Sequence, residues 1–161
     1  MNRDRMAFLC SRFTILAGAL FFSCSMAFAA PTGPADILGV WNNEEKDAKI
    51  EIIPCGDCYC GRIISLSEPT YPEGSKDGIP GTAKLDHNNP DPARRTAPVI
   101  GLQIVHDFSF AGGNVWKDGK VYDPKNGKTY SGKMTLVSPQ QLNLRGYIGI
   151  SLIGRTTTWT R

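Results

Sequence analysis

Histidine is scarce in this chain, two among 161 residues, and neither stands at metal-ligand spacing from a second histidine or from the cysteines. That removes most zinc and proton-shuttle architectures. No Gly-x-Ser-x-Gly occurs, so a serine nucleophile on a sharp strand-to-helix turn is not indicated. No apolar run approaches the ~20 residues that a membrane helix requires. No ten-residue stretch shows a helical apolar period, so helix bundles and α/β folds are disfavoured. The length admits one core and excludes separate cofactor and substrate modules. Charge of one sign is also lacking, with 18 Lys+Arg against 15 Asp+Glu. What is abundant is turn chemistry, since Gly 17 and Pro 11 make 28 residues of the 161.

The first residues read as an address. Arg3, Arg5 and Arg12 precede an apolar run at 13–22, and Ala27-Phe28-Ala29 supplies small residues where a signal peptidase needs them. A secretory signal peptide over 1–29 is therefore expected, with cleavage near Ala29 and a periplasmic or secreted mature domain, 30–161. The context of Cys24 suits lipid attachment poorly, and a twin-arginine pair is missing. Removing 1–29 takes away three arginines and one acid, Asp4, which leaves 15 cations, 14 anions and a net charge of +1. The remaining lysines alternate with acids and glycines. A clustered basic footprint is absent, and nucleic acid is not an expected partner.

Beyond residue 35 the apolar spacing has a period of two. Ile50 and Ile52 alternate with Lys49 and Glu51, and Tyr130, Gly132, Met134 and Leu136 alternate with Thr129, Ser131, Lys133 and Thr135. The pattern predicts strands near 37–43, 48–54, 59–67, 99–108, 114–122, 128–137, 141–147 and 151–160, each with one apolar face. Most connections are short and carry Gly, Pro or Asn-Gly, which suits antiparallel hairpins between sequential strands. Eight such strands bury their shared face by closing into an up-and-down antiparallel barrel, which also removes exposed edges. A two-sheet sandwich is the architectural alternative. One connection is long: 68–98 holds six prolines and three glycines. Loops of that length are usually lids, binding loops or disordered segments, and its part from Leu85 onward is expected to lie ordered against the barrel.

The mature domain keeps Cys55, Cys58 and Cys60. In an oxidising compartment close cysteines pair by default, and Cys55 and Cys60 can face each other across a hairpin. A disulfide between them is expected, leaving Cys58 free, dimer-forming or part of a shuffled pair. Two alternatives exist. Cys-x-x-Cys-x-Cys offers three thiolates to a zinc ion but lacks a fourth ligand, and a redox dithiol at Cys55 and Cys58 lacks a helix N-terminus to acidify it. No metal and no cofactor is therefore expected. His87 and His106 read as solvated surface groups. Asp86, Asp91, Arg94 and Arg95 offer a carboxylate and guanidinium cluster in which Arg94 and Arg95 are candidate anion contacts, or else simply hold the long loop down.

Two stretches carry a resemblance. The first is Asp86-His87-Asn88-Asn89-Pro90-Asp91-Pro92-Ala93-Arg94-Arg95, leading through Pro98 to Gly101-Leu102. The second is Asp123-Pro124-Lys125-Asn126-Gly127-Lys128-Thr129-Tyr130, followed by Arg145-Gly146-Tyr147-Ile148-Gly149 and by Gly154-Arg155 to Trp159-Thr160-Arg161. Together they resemble the bacterial family called domain of unknown function 2147, from Gly39-Val40-Trp41 to Arg161. The resemblance implies a small secreted or periplasmic protein with a lipocalin-like barrel and no defining activity. The family pattern also has a pair of cysteines each followed by glycine, matched by Cys55-Gly56 and Cys60-Gly61, with Cys58 extra. Gly39-Val40-Trp41 is similar to the opening strand of lipocalins, whose Trp closes one barrel end beneath an arginine of the last strand. Arg155 or Arg161 can supply that arginine, and Arg155 is taken as the closure residue. The alternative is that Trp41 is an ordinary core aromatic.

An eight-stranded barrel can just enclose one small ligand. The functional expectation is accordingly a non-enzymatic, lipocalin-like barrel that binds a small apolar or amphiphilic molecule. The inward residues expected to line its interior are Ile52, Ile64, Leu102, Ile104, Trp116, Tyr130, Met134 and Leu144. A structural or interaction module of the cell envelope, using the long loop and exposed Tyr71 and Tyr147, is the alternative. An enzyme would require Asp86, His87 and Arg94 to converge in a cleft. The sequence leaves the oligomeric state open.

Overall fold

A computed structural model describes residues 33–161; the expected signal peptide lies outside the described residues. Eight strands follow one another: β1 (Gly39–Asn42), β2 (Ala48–Cys55), β3 (Cys58–Leu66), β4 (Gln103–Phe110), β5 (Val115–Asp123), β6 (Lys128–Ser138), β7 (Gln141–Tyr147) and β8 (Gly154–Thr160). Each pairs antiparallel with the next, and β1 meets β8 to close the barrel. The expected up-and-down order is therefore the order of the sheet. The closing seam is thin, with one paired position, Asn42 opposite Thr160, to which the Asn42 side chain adds a hydrogen bond onto the Thr160 carbonyl at 3.1 Å.

Three expected strands begin too early. Residues 34–37 form a turn, 99–102 belong to the end of the long loop, and 151–153 belong to the β7–β8 turn. In the first two cases Ile37, Val99 and Leu102 continue the apolar run because they pack as loop anchors, whereas Leu152 and Ile153 extend it into an exposed turn. Ile37, for example, is fully buried, and its carbonyl accepts the indole N–H of Trp41 at 2.8 Å.

The long loop is more structured than its composition suggests. Thr70 bridges Ala83, Leu85 bridges Pro98, and a short 3-10 turn spans Pro92–Arg94 with Asp91 as its cap. Tyr71, expected at the surface, is only 7% exposed. Its ring packs against Gly78, its hydroxyl accepts the Leu85 N–H at 2.9 Å, and His87 stacks on it at 5.9 Å. Asp86, fully buried, accepts the Tyr122 hydroxyl at 2.7 Å and the Asn89 side-chain amide at 2.6 Å. The loop thereby straps the outer face of β5, where Tyr122 lies opposite in phase to Val121. Burial, then the Asp86 hydrogen bond and charge, push the Tyr122 hydroxyl well above the ordinary tyrosine range, so it stays a donor. Asn88 donates to the Pro124 and Lys125 carbonyls of the β5–β6 turn. The same turn needs Gly127, at φ +70°, because a Cβ there would meet the Asn88 carbonyl oxygen.

Strand polarity divides the barrel into two ends. The end where β1 begins is packed: Trp41, Ile52, Phe108, Trp116, Met134 and Leu142 are essentially inaccessible. The Phe108 ring occupies the space above Gly119 and Gly132, which face each other across β5 and β6; a Cβ on either would come within 2.3 Å of it. Arg161 seals this end from outside. Its guanidinium lies 4.3 Å from the Trp41 ring centroid and donates to the carbonyls of Asp36, Leu38 and Pro139. The disulfide between Cys55 and Cys60 closes the β2–β3 hairpin at the same end, with Cα atoms 5.8 Å apart. Cys58 is free, and its Sγ lies 3.7 Å from the Ser109 hydroxyl.

Arg155 is therefore not the closure residue. Because β8 runs from the opposite end, Arg155 at its start lies a full strand away from Arg161 at its finish, and it pairs with Glu44.

Candidate functional site

The other end is open. The β1–β2, β3–β4, β5–β6 and β7–β8 connections all emerge there and surround a cavity of about 1880 Å³ that opens to solvent. Apolar side chains form its wall and floor: Ala48 and Ile50 from β2, Ile63 from β3, Ile104 from β4, Val121 from β5, Leu144 from β7 and Trp159 from β8. Tyr130 of β6 stands among them with its hydroxyl toward the rim, where it accepts the Asn126 side-chain amide at 3.1 Å.

The rim is charged and internally paired. Lys125 donates to Glu45 and, at 2.9 Å, to Asp47; Arg155 pairs with Glu44 and Lys84 with Glu68. Burial alone would raise the Asp47 carboxyl, but hydrogen bonds from Lys125 and Asn43 and the Lys125 charge outweigh it and hold the group below its ordinary 3.8. Lys125 is raised in turn, chiefly by its hydrogen bond to Glu45 and against the opposing effect of desolvation. The site thus has an apolar interior beneath a polar collar. That arrangement can take the tail of an amphiphile inward and leave its head in water.

The eight interior residues expected from the sequence divide. Ile104, Tyr130 and Leu144 line the cavity. Ile52, Trp116 and Met134 face inward but lie in the packed half, where they fill the barrel. Leu102 precedes β4 and packs half-buried beside the core, its carbonyl accepting the Ile63 N–H. Ile64 is a correction: it is 36% exposed on the outer face, because Ile63 is the inward residue and a period of two forbids both. Ile104 and Val105 are both buried only because a bulge opposite Gly61 and Arg62 places an extra residue in β4.

Sequence reasoning missed Ile63, Val121 and Trp159 on the floor. Once Trp41 is known to point inward, register carries that phase to Ile50, its partner on β2, and from Ile50 to Ile63. The charged cluster of the long loop does not assemble into a site. Asp86 is engaged by Tyr122 and Asn89, Arg94 by Asp91 at 3.5 Å, and Arg95 donates to the Asn89 carbonyl at 2.8 Å, so the group serves the strap. Among the described residues, Cys55, Cys60 and Asp107 form a compact group of metal-ligand types, but its two sulfurs are joined to each other. No helix among these residues is long and apolar enough to cross a membrane.

A solved structure entitled "Protein HP1028 from the human pathogen Helicobacter pylori belongs to the lipocalin family" superposes with a TM-score of 0.64 at 26% identity, over 77% of this chain and 81% of that one. No curated protein matches. The sequence profile of the family described as "Uncharacterized protein conserved in bacteria (DUF2147)" matches residues 39–161, from the first barrel strand through the arginine that seals the packed end. The chain belongs to that family, and its fold is a lipocalin-like, eight-stranded β-barrel.

Proposed function

We propose that this protein is an exported, non-enzymatic binding protein that holds a small apolar or amphiphilic molecule in the open half of its barrel. The observation that carries the reading is the one-ended interior. Half the barrel is packed by Phe108, Trp116 and Met134, and the other half opens above an apolar floor into a space of about 1880 Å³ that extends outward between the mouth loops. The apolar floor suits the hydrocarbon portion of a ligand, with its polar group among the paired charges of the rim. Acid–base chemistry would need titratable groups converging on one point, whereas Asp86 and Arg94 are each held by separate local partners and His87 lies over Tyr71. Export is supported by the N-terminal sequence and by the disulfide, which persists in oxidising compartments.

The test is native mass spectrometry of the purified protein, together with titration by the uncharged fluorophore N-phenylnaphthylamine. Extra mass, or saturable probe binding that Ala48→Trp abolishes by filling the cavity from its wall, supports the reading. Repeated preparations carrying nothing, together with no probe binding, overturn it.

A further inference from the structure

The β7–β8 turn, 148–153, reads Ile-Gly-Ile-Ser-Leu-Ile, and its four aliphatic residues are the most exposed cluster of their kind at the mouth: Ile148 69%, Ile150 61%, Leu152 85% and Ile153 73%. Single exposed aliphatics are ordinary, but four in six consecutive residues form a patch. We infer that this turn inserts into a lipid bilayer surface, seating the open end of the barrel on the membrane.

Three observations point to lipid. The first is the treatment of the backbone. A chain entering hydrocarbon must bring its own hydrogen-bond partners. The turn does so for its carbonyls at 150–152: Arg145 donates to the Ser151 carbonyl at 2.7 Å and to the Leu152 carbonyl at 3.1 Å, and the Ile153 N–H donates to the Ile150 carbonyl at 3.2 Å. The arginine also bonds Thr156 on β8, so the apolar side chains are held outward by a fixed backbone. The second is charge. The hairpin 141–161 carries no acid, and the two arginines beside the tip are Arg145, bonded into the turn, and Arg155, paired with Glu44, so cations stand at the base of the apolar tip where anionic headgroups would lie. The third is continuity. Ile148 and Ile153 also line the cavity, so the tip adjoins the cavity mouth.

A second copy of the chain is a poorer occupant. The tip offers on the order of a few hundred Å², below the ~800 Å² per partner of a standard interface. Beside the cavity it is bordered by the Glu44–Arg155 pair.

The experiment compares the purified protein with Ile150→Ser/Leu152→Ser in co-flotation with vesicles of phosphatidylcholine containing about a quarter phosphatidylglycerol. Neither substituted residue lines the cavity, and both are exposed, so the fold and N-phenylnaphthylamine binding in the absence of vesicles remain as in the parent. The parent floats with the vesicles, and the double variant partitions at least about tenfold less. A parent that stays in solution, or a variant that floats equally, overturns the inference. So does sedimentation showing a parent dimer that the substitutions dissolve, since the turn would then serve self-association. Ligand binding is read separately by the probe, so either conclusion can fail without the other.

Discussion

Arg161, the last residue, stacks its guanidinium 4.3 Å from the Trp41 ring centroid in the first strand, so the two ends of the barrel sequence are joined where β1 and β8 share only one paired position. The interaction combines a cation over an indole with three carbonyl acceptors, and it closes the thinnest seam of the sheet. Arg161→Ala is expected to destabilise the fold by about 1–2 kcal/mol, whereas Arg155→Ala, which breaks an exposed pair, changes stability by less than about 0.5 kcal/mol. Urea denaturation of the two variants side by side checks the ordering. Equal losses would show that the seam does not depend on Arg161.

The strap over β5 depends on a buried carboxyl with two donors. Tyr122→Phe removes one donor and leaves an Asp86 oxygen buried without a partner, at a cost of about 1–3 kcal/mol. Hydrogen exchange is expected to rise over 85–98 before it rises in the barrel strands, because the substitution loosens the loop first. Uniform acceleration across all strands would contradict this order.

Packing above the glycine pair leaves no room for a methyl group. Gly132→Ala forces the Phe108 ring out of its site and is expected to cost about 1–3 kcal/mol, while Gly56→Ala, with nothing near its Cβ, costs only the backbone strain of its positive φ. Thermal melts of the two variants, each combined with Phe108→Leu, separate the effects. The smaller side chain rescues Gly132→Ala and leaves Gly56→Ala unchanged.

The rim pair of Asp47 and Lys125 makes a modest pH-dependent contribution. Asp47 is depressed in the folded state, so its contribution is present above its unfolded value, near 3.8, and fades as pH falls through the lower folded value. Lys125 is raised, so its contribution is present below about 10.5 and fades as pH climbs through the higher folded value. Both groups are substantially solvated, and screening keeps the effect small. In Lys125→Met the Asp47 carboxyl is expected to titrate closer to 3.8 by NMR; an unchanged midpoint would show that Asn43 and the local backbone hydrogen bond hold it down without Lys125.

The barrel was legible in the sequence because antiparallel strands with one buried face must alternate, and Ile50/Ile52 or Met134/Leu136 can alternate in only one way. The disulfide was legible because Cys55 and Cys60 flank a tight hairpin. The cavity was not. Whether an inward residue fills the barrel or lines free space depends on its height along the axis, which strand pattern does not encode: Met134 and Tyr130 share one face of β6, yet one is fully buried and the other borders the cavity. The inward burial of Val105 beside Ile104 was illegible for a second reason, since a bulge shifts phase without a compositional mark. Tyr71 was misread because prolines and glycines around it suggested a solvated loop, while the ring was in fact the loop's own small core.

The division of labour along the barrel axis has an evolutionary consequence. All four connections at the mouth can lengthen, shorten or change side chains without disturbing Trp41, Phe108 or the cystine at the far pole. A lineage of such proteins is therefore free to remodel its mouth while inheriting its foundations unaltered, and diversity among its members should concentrate at one pole.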